Sequence, residues 1–229
     1  MTERDQYDDP ISGGNEELRA RILQSFLRHV PYDGWSKKAF AEAASEFEDM
    51  ELVKNAFPDS VRDVAQYYNH VIDERLANDL ASMNLAEKSV RERIKVAILA
   101  RLNCLSENRE AVRRGVLANS FSGFGINSLK AVAKTVDLIW RAAGDTSTDY
   151  NFYSKRILLA GVYISTVLYW LDTDNEKAVS AFIDRRIGDV MRIQSARYGL
   201  DKLIQVMPLS TRLFTKSPLK SAMNSRARI

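Results

Sequence analysis

Cysteine and histidine are almost missing from this chain of 229 residues: Cys104 stands alone, and His29 and His70 are the only imidazoles. A single thiol excludes an internal disulfide and suits a reducing compartment. Ligands this few and this scattered leave no Cys/His zinc site, so neither metal nor cofactor is expected. Proline occurs only at 10, 31, 58, 208 and 218, and the 149 residues between Pro58 and Pro208 contain none. That gap favours long helices over a turn-rich β protein. A membrane span needs roughly 20 apolar residues. The run Ile157 to Leu171, ILLAGVYISTVLYWL, has fifteen without a charge and is closed by Lys155-Arg156 and Asp172.

What is present is ordinary for a globular chain: 45% apolar and 28% charged residues. This excludes a disordered or fibrous protein and leaves one large domain or two small ones. The formal net charge of +3 is unevenly spread. Residues 197–229 hold seven basic side chains against Asp201, a net of +6, so the other 196 residues carry −3. An acidic body with a basic tail suggests an anionic partner, with phospholipid head groups and nucleic acid as the candidates and a solvated end as the plain alternative. The opening Met1 to Asp9 is acidic and polar, unlike a signal or transit peptide. The chain is therefore expected to stay where it is made.

Helical spacing dominates the pattern. Leu18, Ile22, Phe26, Leu27 and Val30 mark a helix from about Asn15, stopped by Pro31-Tyr32-Asp33-Gly34. Ser36 caps a second helix through Ala44, Met50 to Phe57 forms a third, and Pro58 opens a longer fourth through Leu76. Ser89 to Leu105 and Ala111 to Leu117 follow; Asn119 to Gly125 reads as a loop; Leu129 to Trp140 is the next helix. Gly144 stands where a left-handed cap belongs, and Thr146 with Asp149 has capping-box spacing. No segment alternates with period two. The run 157–171 is apolar on every face and is expected to be surrounded by other helices. It is either plain core or one wall of a cavity for an apolar ligand, and periodicity does not separate the two.

Catalytic patterns are thin. Neither histidine lies in a nucleophile motif, Gly123-Phe124-Gly125 follows no strand, and Phe26 and Tyr67 stand where a Glu-x-x-His di-iron motif needs glutamate. The first three helices have the order of a helix-turn-helix, and with the longer helix after them they resemble a TetR-type repressor. The electrostatics oppose DNA. Ser36 to Ser60 carries a net −3, and Glu48, Asp49 and Glu51 crowd the position of a recognition helix, which has to approach phosphates. That helix offers only Asn55 among the usual base readers.

The junction Gly144-Asp-Thr-Ser-Thr-Asp-Tyr-Asn-Phe-Tyr-Ser-Lys-Arg156 is more specific. With VDLIW (136–140) before it, and LLAGVY (158–163), YWLD (169–172) and FIDRRIGDVMRI (182–193) after it, it closely resembles the ubiquinone biosynthesis protein nine family. The likeness extends over residues 17–196. It implies an all-α, TetR-like helical bundle with a helix-turn-helix-like head and a C-terminal amphipathic helix. On that basis residues 1–14 form a flexible N-terminus, 15–80 the head and connecting helix, 81–196 a lipid-binding body, and 197–229 a basic, membrane-contacting tail. The resemblance also implies a homodimer that is not a catalyst, that binds an isoprenoid quinone precursor or phospholipid, and that presents the quinone intermediate to a di-iron demethoxyubiquinone hydroxylase.

Carried over by motif, the hydroxylase-docking patch falls on Asp137, Ile139, Trp140, Asp149, Phe152 and Tyr153, and the head-group arginine on Arg156. Mitochondrial members usually have Trp where Phe152 stands, which keeps the apolar face and loses a donor. Lipid-facing side chains are expected at Leu159, Tyr163, Thr166 and Trp170. An interfacial anchor is expected at Leu200, Lys202, Leu203, Ile204 and Met207, interrupted by Pro208. The expected location is the bacterial cytoplasm, at the surface of the inner membrane, with no nucleic acid bound. The alternative is a ligand-responsive TetR-type regulator of transcription.

Overall fold

The computed structural model describes residues 10–121, 125–145 and 150–206, with side chains over 15–117, 129–145 and 153–192. Among the described residues every regular element is a helix. They divide into two compact units, with the boundary between Ile183 and Asp184.

Helix α1, Pro10–Asp33, buries Ile22, Phe26 and Val30, which share one stripe. Pro31 does not stop it, contrary to the sequence expectation; it lies within the last turn. Gly34 stops it, at φ +68, with its N–H donating 2.8 Å to Val30 O. Helix α2, Lys37–Ser45, starts where Ser36 Oγ accepts from Ala39 N at 3.1 Å. Its buried residues are Ala39, Ala43 and Ala44, small enough to let α2 lie close on α1. Asp49 caps the short α3, Met50–Ala56, by accepting from Glu51 N and Leu52 N at 2.9 and 3.2 Å.

Helix α4, Val61–Ser82, begins three residues after Pro58, because Ser60 turns to φ 39 before the helical run is entered. Helix α5, Val90–Ser106, opens with a full capping box between Ser89 and Glu92. Helices α6, Arg109–Phe121, and α7, Gly125–Ala142, take up most of the expected loop 119–125; its residues 122–124 lie outside the described ones. At the end of α7, Gly144 has φ +87, its N–H donates to Arg141 O and Asp145 N donates to Trp140 O. These two bonds are the crossed pair of a Schellman cap. The expected box at Thr146 and Asp149 lies outside the described residues.

Helix α8 spans Tyr150–Asp172 and packs on α7 and α5. Leu159, Val162, Tyr163, Thr166 and Val167 are buried there. The helix is not surrounded, as its all-round apolar sequence led one to expect. Tyr153, Ile157, Ile164 and Leu168 are exposed, and with Gly161 they form a single stripe. At 1.5 Å per residue the stripe is about 22 Å long. Helix α9, Glu176–Val206, is continuous. Val179 and Ile183 are buried in its first part, and the side chains of its last fourteen residues lie outside the described ones.

Candidate ligand cavity and the α7–α8 junction

A half-open cavity of about 840 Å³ lies among α4, α5, α6, α7 and α8 in the first unit. That volume is within the usual range for small-ligand sites. Trp35 reaches it from the head. The ring stacks at a tilt between Phe26 and Tyr68, with centroids 5.4 and 5.6 Å away, and Nε1 donates to Ala111 O at 2.8 Å. A Cβ at Gly115 would come within 3.1 Å of that nitrogen, so glycine is what lets α6 approach the indole. The rim has an apolar side, Leu129, Ile164 and Leu168, and a polar side that includes His70, Lys130 and Lys134.

The floor is polar and deeply buried. Arg101 is only 2% exposed and lies with Nη1 2.8 Å from Asp73 Oδ1. Its Nε donates to the Tyr163 hydroxyl at 3.4 Å, and Thr135 Oγ1 donates to Asp73 at 2.9 Å. The Nη1 contact is close in distance but off the line of a hydrogen bond, so that nitrogen has no directed acceptor. The buried Tyr68 hydroxyl has no hydrogen-bond partner at all. Burial pushes its phenol up to about 12, against the opposing pull of Arg101. Tyr68 is therefore a neutral O–H donor at physiological pH.

The second cluster is the α7–α8 junction. Asp137 Oδ1 accepts from both Nε and Nη2 of Arg156, at 2.8 and 2.6 Å, and Asp145 Oδ2 accepts from Nη1 at 3.3 Å. Lys155 Nζ donates to Asp145 at 2.7 Å, and Arg141 pairs with the other oxygen of Asp137. Trp140 Nε1 donates to Lys155 O at 3.2 Å, with the ammonium 5.7 Å from the ring centroid. The network ties the end of one helix to the start of the next.

These positions correct several expectations. Arg156 is not a free fork for phosphate, because two carboxylates occupy it. Ile139 is fully buried, so its side chain does not face a partner. Asp137 and Trp140 are half-buried beside Arg156 and Lys155, and Tyr153 is 67% exposed. Asp149 lies outside the described residues, as does the side chain of Phe152. Of the four side chains expected to face lipid, and Arg156 with them, only Tyr163 lines the cavity. Leu159 is buried elsewhere on α8, and Thr166 turns its hydroxyl to Val162 O at 2.7 Å. Trp170 lies under the Arg109 guanidinium, 5.0 Å away, where Arg109 and Arg113 cap the carbonyls at the end of α8. The side chains of Leu200, Lys202, Leu203 and Ile204, and all of Met207, are outside the described residues.

Arg101, Asp73, Tyr68 and Thr135 were not singled out from the sequence. A signal for Arg101 existed: it continues the core stripe Ile94, Ala97, Ile98 and precedes Leu105 at helical spacing. A charge on that face must be paired inside the fold. Among the described residues no group of three or more acidic, His or Cys side chains is disposed to hold a metal ion. Among them, too, no helix is long and apolar enough to cross a membrane.

Residues 126–194 match the family model COQ9. The chain is 29% identical over 189 residues to the mitochondrial ubiquinone biosynthesis protein COQ9 of Rattus norvegicus, covering 78% of this chain and 60% of that protein. The corresponding protein of Homo sapiens is 27% identical over 187 residues, with 78% and 59% covered. The chain thus spans about 60% of the length of the curated relatives it matches. A solved TetR transcriptional regulator from Nitrosomonas europaea superposes with a TM-score of 0.63 at 17% identity, over 76% of this chain and 98% of that one. That likeness shows a TetR-like fold and nothing of function. The resemblance first read at 144–156 thus falls within the segment, from the start of α7 into α9, that matches the COQ9 family model, and the chain is similar to the COQ9 proteins over most of its length.

Proposed function

We propose that the protein is a non-catalytic, lipid-binding accessory factor of ubiquinone biosynthesis. In this reading it shelters a polyprenylated quinone intermediate and presents it to a di-iron hydroxylase. The observation that carries the reading is the 840 Å³ cavity whose apolar rim, Ile164 and Leu168, continues into the exposed stripe of α8. The naming of the relatives as ubiquinone biosynthesis proteins supports the pathway.

The physical need is simple. A hydroxylase working from water reaches a bilayer-bound ring only if the tail is covered, and each exposed CH₂ costs about 0.8 kcal/mol. An apolar trough beside α8 offsets that cost. The protein works as a homodimer at the surface of the bacterial inner membrane, attracted by the +6 charge of residues 197–229. The hydroxylase docks where Asp137, Trp140 and Tyr153 surround the junction. The exposed stripe that Tyr153 forms with Ile157, Ile164 and Leu168 supports this, since a contiguous apolar patch is a mark of an interface.

Native mass spectrometry of the purified protein should find bound lipid, and quinone intermediates should be enriched in its extract. A lipid-free protein that takes up no quinone would overturn the reading. For docking, Tyr153→Ala should lower hydroxylase binding at least tenfold without moving the melting temperature. Unchanged binding would remove the patch.

A further inference from the structure

We infer that the cavity takes its ligand head inward, and that the head it takes is neutral and accepts hydrogen bonds, held by the Tyr68 hydroxyl and the Arg101 guanidinium. This rests on the lipid-binding reading above and deepens it. Two observations on the same floor lead there. Tyr68 lines the cavity, and its hydroxyl is buried and has no partner. A buried donor without an acceptor is rare in folded proteins, and its usual explanation is a partner that comes with a ligand or water. The Arg101 Nη1 beside it also lacks a directed acceptor. Two donors without directed acceptors therefore belong to residues that line one cavity.

Charge then chooses the class of ligand. Arg101 alone would attract a phosphate or carboxylate, but Asp73 lies 2.8 Å from it and cancels its charge. An anionic head at the floor would meet the Asp73 carboxylate at close range in a poorly screened site. A ring carbonyl, ether or hydroxyl oxygen accepts from Tyr68 and Arg101 without that repulsion. The Tyr163 hydroxyl, which accepts from Arg101 Nε, has its own proton to give to a second oxygen on the same ring. The exposed cations, Lys130 and Lys134, are at the rim and not at the floor. A phospholipid would sit the other way round, head at the rim.

Volume fixes the direction of the tail. A cavity of 840 Å³ holds a substituted ring with a short chain. A longer chain has to leave past the apolar side of the rim, over Leu129, Ile164 and Leu168.

Two probes decide the matter on the full chain by calorimetric titration: decylubiquinone, with a neutral ring, and dodecylphosphocholine below its micellar concentration, with a charged head. Tyr68→Phe keeps the ring against Trp35 and removes only the hydroxyl. Decylubiquinone should bind the parent protein at least tenfold more tightly than dodecylphosphocholine. Tyr68→Phe should weaken decylubiquinone about five- to tenfold, the worth of one hydrogen bond, with an equal or higher melting temperature and no effect on the second probe. Ile164→Asp, at an exposed position, should weaken both probes while leaving the fold intact. Equal binding of decylubiquinone to the parent and to Tyr68→Phe would overturn the head-inward assignment and leave the lipid cavity standing. Tight, Tyr68-independent binding of dodecylphosphocholine would overturn the neutral head. Failure of the parent to bind decylubiquinone would overturn both this inference and the function it rests on.

Discussion

Removing the charge of Arg101 tests the polar floor most directly. The guanidinium is 2% exposed and its partner Asp73 only 13%. In Arg101→Met the carboxylate keeps Thr135 as its donor and loses its counter-ion in a site with little water. Breaking one side of such a pair costs about 3–5 kcal/mol. Asp73→Leu leaves the opposite charge stranded and should cost a similar amount. In the double variant no charge is buried, and the Thr135 hydroxyl turns to Ala131 O, already 3.2 Å away. Replacing a buried pair by apolar side chains of similar size is often near neutral, so the double variant should be more stable than either single one. Urea unfolding followed by tryptophan fluorescence reads this in one unit, because Trp35, Trp140 and Trp170 all precede Ile183. Costs that simply add, or an Arg101→Met loss below about 1 kcal/mol, would refute the claim that these charges are paired out of water.

Gly144→Ala should destabilise by about 1–2 kcal/mol, because φ is +87 and the new Cβ would come 3.0 Å from the Arg93 guanidinium; an unchanged melting temperature would refute the strain. The fork of Arg75 holds the Glu107 carboxyl below its ordinary value of 4.5 through two bonds of 2.9 and 3.0 Å. A carboxyl depressed in the folded state contributes stability above its unfolded pKa and loses it as pH falls through the folded value. Arg75→Ala should therefore flatten stability slightly below about pH 4.5, by under 1 kcal/mol since both groups are exposed, and urea midpoints from pH 3 to 7 check it.

The helices were legible because capping and stripe are local signals. Ser36 begins the helix that its side chain suggests, and Gly144 ends α7 as its position implies. Pro31 misled because it removes only its own N–H, while the bonds that follow it, such as Gly34 N–H to Val30 O, still form and carry the helix to Asp33. Pro58 misled because Ser60, not the proline, makes the final turn into α4. The α7–α8 junction was found by its motif, but the pairing of Arg156 with Asp137 and Asp145 was not, since nothing local tells a guanidinium to choose carboxylates nineteen and eleven residues back. The cavity floor was missed for the same reason. Tyr68 reads as core on α4, Arg101 as an interruption on α5, and Tyr163 as core on α8; only tertiary packing puts the three around one space.

The two sites share their supports. Helix α7 gives Leu129 and Thr135 to the cavity, and Asp137 and Trp140 to the junction; α8 gives Tyr163 and Leu168 to one, and Tyr153 and Arg156 to the other. The ion pairs of Arg156 cross between these helices at one end, and the cavity opens between them farther along. Under the proposed function, a ligand that enters between Leu129 and Leu168 would press on the same two helices that the junction clamps. The head adds no competing demand of its own. Glu48, Asp49 and Glu51 are exposed around α3, where a groove-reading helix would need cations, and Asp49 is spent on capping. Trp35, from the turn between α1 and α2, packs against Tyr68 and closes the cavity on the side of the first three helices.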